Sequence, residues 1–191
     1  MLDLNGTVTG DQQQLPHGIA PAIPSSGKVV VGTLPGAAVP PGTDAWLLMP
    51  KLDIPTDNST FINYSFSFDH WHDLESGDGV WLEHRLRSGS IWSNWTWTSL
   101  DTGYSHSIPT GEIEVEGTPT SGSIPVFGGD NPTGWLTAST NLSNLPLISN
   151  NSEIQFRFRI VTSDSSSGSP GWFIDDIEYN NDGDSSGHWH H

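Results

Sequence analysis

Between Ile154 and Ile160 the chain alternates without a break, setting Ile154, Phe156, Phe158 and Ile160 against Gln155, Arg157 and Arg159. A period of two marks a strand with one buried face and one wet face. Such a strand needs a second apolar layer to cover it. The same period recurs upstream. Residues 61–72 place Tyr64, Phe66 and Phe68 opposite Asn63, Ser65 and Ser67, and residues 79–87 set Val80, Leu82, His84 and Leu86 against Trp81, Glu83, Arg85 and Arg87. Shorter strands are expected at 91–98, 112–116, 124–127 and 133–137. No segment sustains a 3.6-residue apolar period. The expected fold is all-β, a two-sheet antiparallel sandwich of jelly-roll topology.

The first 44 residues have a different texture. Leu2, Leu4 and Val8 alternate with polar residues, 28–31 reads as a second strand, and 34–43 is rich in Pro, Gly and Ala. We expect an N-terminal extended arm over 1–44, the jelly-roll sandwich over 45–181, and a flexible polar tail over 182–191.

Charge narrows the partners. The 191 residues carry 22 acidic and 6 basic side chains, a formal net charge of −16. Nucleic acid is not an expected partner, because phosphate binding needs clustered Lys and Arg. With no Cys, disulfides and thiolate metal sites are excluded. No apolar run is long enough for a transmembrane helix, so no membrane insertion is expected. The first residues lack the basic and apolar regions of a signal peptide, so a secreted protein would be present as a mature or excised form. N-x-Ser/Thr sequons begin at Asn5, Asn58, Asn63, Asn94, Asn141 and Asn150. With abundant Gly and Pro and only two lysines, they favour an extracellular or cell-surface glycoprotein.

One strand breaks the alternation rule. In Gly171-Trp172-Phe173-Ile174-Asp175-Asp176-Ile177-Glu178-Tyr179 two adjacent carboxylates sit mid-strand. Neighbouring strand residues point to opposite faces, so one Asp should turn towards the core, where an unpaired charge is costly. A cation, an arginine or a strand end would resolve the conflict.

Several motifs occur in a telling order. They are Trp46-Leu47-Leu48-Met49-Pro50-Lys51-Leu52, the aromatic strand from Phe66 to the acidic turn at Glu75, and Asp78-Gly79-Val80-Trp81-Leu82-Glu83. Gly134-Trp135, Asn141-Leu142-Ser143, the strand from Ile154 to Arg159 and the Gly171–Ile177 ending follow. From about Ala45 to Tyr179 the chain resembles MAM-type jelly-roll modules and the C-terminal domains of immune-inhibitor-A-like secreted metallopeptidases. It departs from them in lacking the cysteines of animal MAM domains and any H-E-x-x-H zinc motif.

The resemblance implies a structural calcium near the closing strand, held by Asp175 or Asp176 with help from Asp73, Glu75 and Asp78. Calcium takes six to eight oxygen ligands, which such carboxylates supply. An Asp capping backbone N–H groups or pairing with an arginine is the alternative. His70 and His72 share a face, with zinc binding or core packing as the two readings. The terminal His188-Trp189-His190-His191 reads as a tail. Arg85, Arg87, Arg157 and Arg159 lie on polar strand faces, as a cross-strand charge ladder or as a binding patch. Trp81, on a polar face among nine tryptophans, is a candidate sugar platform beside Arg85 and Arg157. Glu83 and the row Glu112, Glu114 and Glu116 are the carboxylates available for hydrolysis.

The expected function is a non-enzymatic extracellular module for adhesion, binding a glycan or a cell-surface protein. The alternative is a subunit of a self-assembling filament, bound to copies of itself by strand addition through the N-terminal arm.

Overall fold

The computed structural model describes residues 30–33, 37–53, 64–109, 123–129, 134–145 and 151–181. Their strands are β1 (Val31–Gly32), β2 (Asp44–Asp53), β3 (Tyr64–Asp73), β4 (Gly79–Ser88), β5 (Ile91–Trp92) and β6 (Thr96–Trp97). After these come β7 (His106–Pro109), β8 (Ser123–Val126), β9 (Leu136–Asn141), β10 (Asn151–Val161) and β11 (Gly171–Asn181). One antiparallel sheet has the order β1-β11-β3-β9, and the other β2-β10-β4-β5 with β6 also on β4. The long strands switch sheet at each step, β2 to β3 to β4 and again β9 to β10 to β11. The all-β sandwich is the observed architecture. The expected strand at 112–116 lies outside the described residues, and the alternation patterns did not reveal β7.

The inner faces meet as expected. Phe66 of β3 stacks on Phe156 of β10 with ring centres 4.6 Å apart, and Phe68 meets Phe158 edge-on at 4.8 Å. Val80, Leu82, Ile154, Ile160, Trp172 and Ile174 complete this core. Each fully buried aliphatic or aromatic side chain contributes about 1.5–3 kcal/mol. On the far side of the five-stranded sheet, the β7–β8 hairpin covers Trp81 with Ile108, Ile124 and Val126.

A bulge removes the conflict in β11. Asp175 pairs with Asp69 and Glu178 with Ser67, so β11 takes three steps where β3 takes two. Trp172 and Ile174 face the core, Asp175 faces outward, and Ile177 and Tyr179 return to the core after the extra residue. Asp176 holds φ 45°, the left-handed region that Asp tolerates better than most residues. A second bulge lies in β2, between Leu48 and Lys51, and contains Pro50, which has no N–H to donate.

The described part of the arm is joined to the sandwich. β1 pairs with β11, and Val39, fully buried, bridges to Ser169. Gly171 is required at this junction. Its φ is 111°, and a Cβ there would collide with Thr33 Oγ1 and Val39. Residues 1–29, and with them most of the expected arm, lie outside the described residues, as does the tail from 182.

Candidate functional site

The outward face of the five-stranded sheet carries the odd-numbered residues of β4 and β10, among them Arg85 and Arg157. Across this face, from β2 to β5, indole rings and guanidinium groups alternate. Arg157 lies 5.3 Å from the Trp46 ring centre and 4.4 Å from that of Trp95. Arg85 lies 4.6 Å from Trp95 and 4.5 Å from Trp92. Lys51 lies 5.7 Å from the same Trp92 ring. Each such contact contributes about 0.5–1 kcal/mol where solvent reaches it. Trp46 remains 51% exposed and its neighbour Leu48 40% exposed, so apolar surface ends the ladder at the β2 edge.

Ion pairs flank the ladder. Glu83, wholly buried, accepts from Arg157 Nε, from Arg159 Nη1 at 3.4 Å and from Trp81 Nε1 at 2.9 Å. Arg159 also donates to both oxygens of Asp44 at 2.8 Å, and Arg87 pairs with Glu153. The cross-strand charge ladder thus holds for three of the four arginines. Arg85 differs: its Nε and Nη2 both donate to Gln155 Oε1, at 3.1 and 2.6 Å. Gln155 in turn donates through Nε2 to the Met49 carbonyl at the β2 bulge, 2.8 Å away.

Of the expected ligand-binding residues, Arg85 and Arg157 share one Trp95 ring. Trp81 is corrected: it is fully buried beneath the β7–β8 hairpin and forms no sugar platform. Strand alternation assigned it to the outward face, but not to the part of that face another sheet covers.

The expected calcium ligands do not come together. Asp78 Oδ1 accepts the Ser163 N–H at 2.8 Å, and Oδ2 accepts the hydroxyls of Ser169 at 2.8 Å and Ser166 at 3.2 Å. Glu75 accepts the hydroxyl and N–H of Ser167, which hold its carboxyl below the usual range. These serine donors give both carboxylates hydrogen-bond partners from the chain itself. Asp175 pairs with Asp69, whereas Asp73 pairs with Gly171. Four strand residues therefore separate the two groups, about 13 Å. Among the described residues no three His, Asp or Glu converge to hold a metal ion. Asp175 and the acidic-turn residue Asp73, which the resemblance groups around one calcium, thus stand apart along the β3–β11 pair.

His70 and His72 belong to the core. Their rings stack with centres 5.3 Å apart, His72 Nε2 donates to the Gly128 carbonyl at 3.2 Å, and the two Nδ1 atoms are 3.4 Å apart. If His72 donates through Nε2, its Nδ1 accepts from His70, and His70 Nε2 is left as a buried acceptor with no partner. Burial pushes His70 down to about 3, with the His72 charge adding to it.

Among the sequons, Asn94 is exposed between Trp92 and Trp95, and Asn141 is half-buried, its Oδ1 capping a 3-10 turn through the Ser143 N–H. Asn5, Asn58, Asn63 and Asn150 lie outside the described residues, as do Glu112, Glu114 and Glu116.

Sequence reasoning missed Trp46, Lys51, Trp92, Trp95 and Gln155 as partners of the two arginines. The Trp92-x-x-Trp95 spacing was visible, but which arginine each ring would meet depends on cross-strand register. No family model matches the chain, and no curated protein is similar to it.

Proposed function

We propose that the chain is a non-enzymatic binding module of an extracellular protein that holds a glycan on the outer face of its five-stranded sheet. The observation that carries this reading is the Trp46–Arg157–Trp95–Arg85–Trp92 ladder, which crosses the sheet and ends in half-exposed indole and leucine. Pyranose rings stack on such indoles through their apolar C–H faces, and the guanidinium edges supply directional donors. Glu83, the carboxylate nearest the ladder, is held by two arginines and an indole, an arrangement that favours binding over acid–base hydrolysis. The exposed sequon at Asn94 supports an extracellular setting. No helix of the described residues is long and apolar enough to cross a membrane.

Tryptophan fluorescence titrations against a panel of soluble polysaccharides test the reading. W46A should weaken binding at least about tenfold, which is about 1.4 kcal/mol, and leave the melting temperature within a few degrees. Binding that survives both W46A and W92A would place the glycan elsewhere.

A further inference from the structure

The arginine without an acidic partner carries the argument further. In a chain with 22 acidic side chains and 6 basic ones, carboxylates are abundant. Arg87, Arg157 and Arg159 each engage one. Among the described residues Arg85 engages none, and neither does Lys51, although both lie against the Trp92 ring. Glu153 lies within electrostatic reach of Lys51 but is bonded to Arg87.

Geometry keeps Arg85 in this state. Gln155, tied to the β2 bulge, takes the Nε–Nη2 side of the guanidinium and is neutral. The Nη1–Nη2 edge has no partner among the described residues. Arg157 shares the Trp95 ring with Arg85, so the two guanidinium carbons are no more than about 9 Å apart. Burial and this second positive charge lower the Arg85 pKa, a burden that an external anion would relieve.

Charge is also unevenly spread. Five of the six basic residues, Lys51, Arg85, Arg87, Arg157 and Arg159, lie on this one sheet, facing the same side. A fork of two N–H donors matches the planar carboxylate, and an ammonium beside it adds a point charge. We propose that Lys51 and the free edge of Arg85, set against Trp92, form an anion site for the carboxylate of an acidic glycan, a polyuronate. This rests on the glycan-binding reading above and narrows it to a charged class.

The test compares polygalacturonate with its fully methyl-esterified form by calorimetric titration of the full chain. At 0.1 M salt the Debye length is about 10 Å, so the acidic remainder of the molecule is screened while the local contact survives. The free acid should bind at least about tenfold more tightly than the ester, and R85Q or K51Q should each erase that preference. K51Q changes an exposed residue and keeps the test decisive if R85Q fails to fold. Equal binding of acid and ester would overturn the anion site and leave glycan binding standing. Binding of neither polymer, with neutral glycans bound through Trp46, would do the same. Binding of no glycan at all would remove both readings. A dimer that R85Q dissolves would give the site to carboxylates of a second copy and overturn the polyuronate assignment.

Discussion

Asp175 Oδ1 accepts the backbone N–H of the next residue, Asp176, at 3.0 Å. The bond closes over a bulge in which Asp176 adopts φ 45°. Two adjacent carboxylates on a strand are thus accounted for by backbone geometry. A β-branched residue at 176 cannot hold that φ cheaply, whereas glycine can. D176V should lower stability by about 1–2 kcal/mol, and D176G should leave it within about 0.5 kcal/mol of the parent. Urea denaturation decides the point. Equal losses in the two variants would show that the Asp176 side chain, not its φ, is what matters.

The buried imidazoles set an acid limit. His70 is lowered to about 3 and His84 to about 4, both chiefly by burial, against 6.5 when unfolded. The unfolded chain therefore binds protons first. Stability is full above about pH 6.5 and falls as pH drops below it, by about 1.4 kcal/mol per pH unit for each imidazole, levelling off at the folded values. In H70F the slope of unfolding free energy between pH 6 and pH 4 should lose one proton's share. An unchanged slope would mean that His70 is not buried in its neutral form.

Asp78 ties the acidic turn to the loop before β11 through Ser163, Ser166 and Ser169. D78A strands these donors in a largely buried setting and should cost about 2–4 kcal/mol. Amide hydrogen exchange should quicken at 163–169 in the variant before global unfolding. Addition of calcium should not restore protection, since serine N–H and O–H groups are donors that a cation cannot satisfy.

Much of this fold was legible in the chain, and the reasons are specific. Ile154, Phe156, Phe158 and Ile160 face the core as their alternation requires. Trp81 followed the same rule and still misled, because alternation names a face but not what covers it. The acidic turn is visible as a cluster in the sequence, yet its role depends on Ser163–Ser169, more than eighty positions away. Asp175 and Asp176 mark an irregular strand in the sequence, but two adjacent carboxylates do not by themselves specify a bulge. The ladder was half legible. Arg85 and Arg157 stood on polar faces, while Trp46 and Trp92 reach them only through pairings that no local pattern encodes.

Asn94 bears on the proposed glycan-binding face, because its sequon lies within it. It is exposed between two of the three ladder tryptophans, so a glycan attached there would crowd Trp92 and Trp95. Protein carrying an Asn94 glycan should bind soluble polysaccharide at least about tenfold more weakly, about 1.4 kcal/mol, than N94Q made in the same host. Equal affinities measured by titration would put the ligand away from the β5–β6 segment.

The bulge at Pro50 has a consequence for crowding. Among the described residues β2 is an outer strand of the five-stranded sheet, and an outer strand offers its free backbone groups to any extended chain nearby. Here that row of donors is broken by a residue with no N–H and thrown out of step by the extra residue beside it. An incoming strand would lose register after a few bonds. The edge beside Trp46 can therefore carry exposed apolar side chains with less risk of recruiting a second copy by strand addition there.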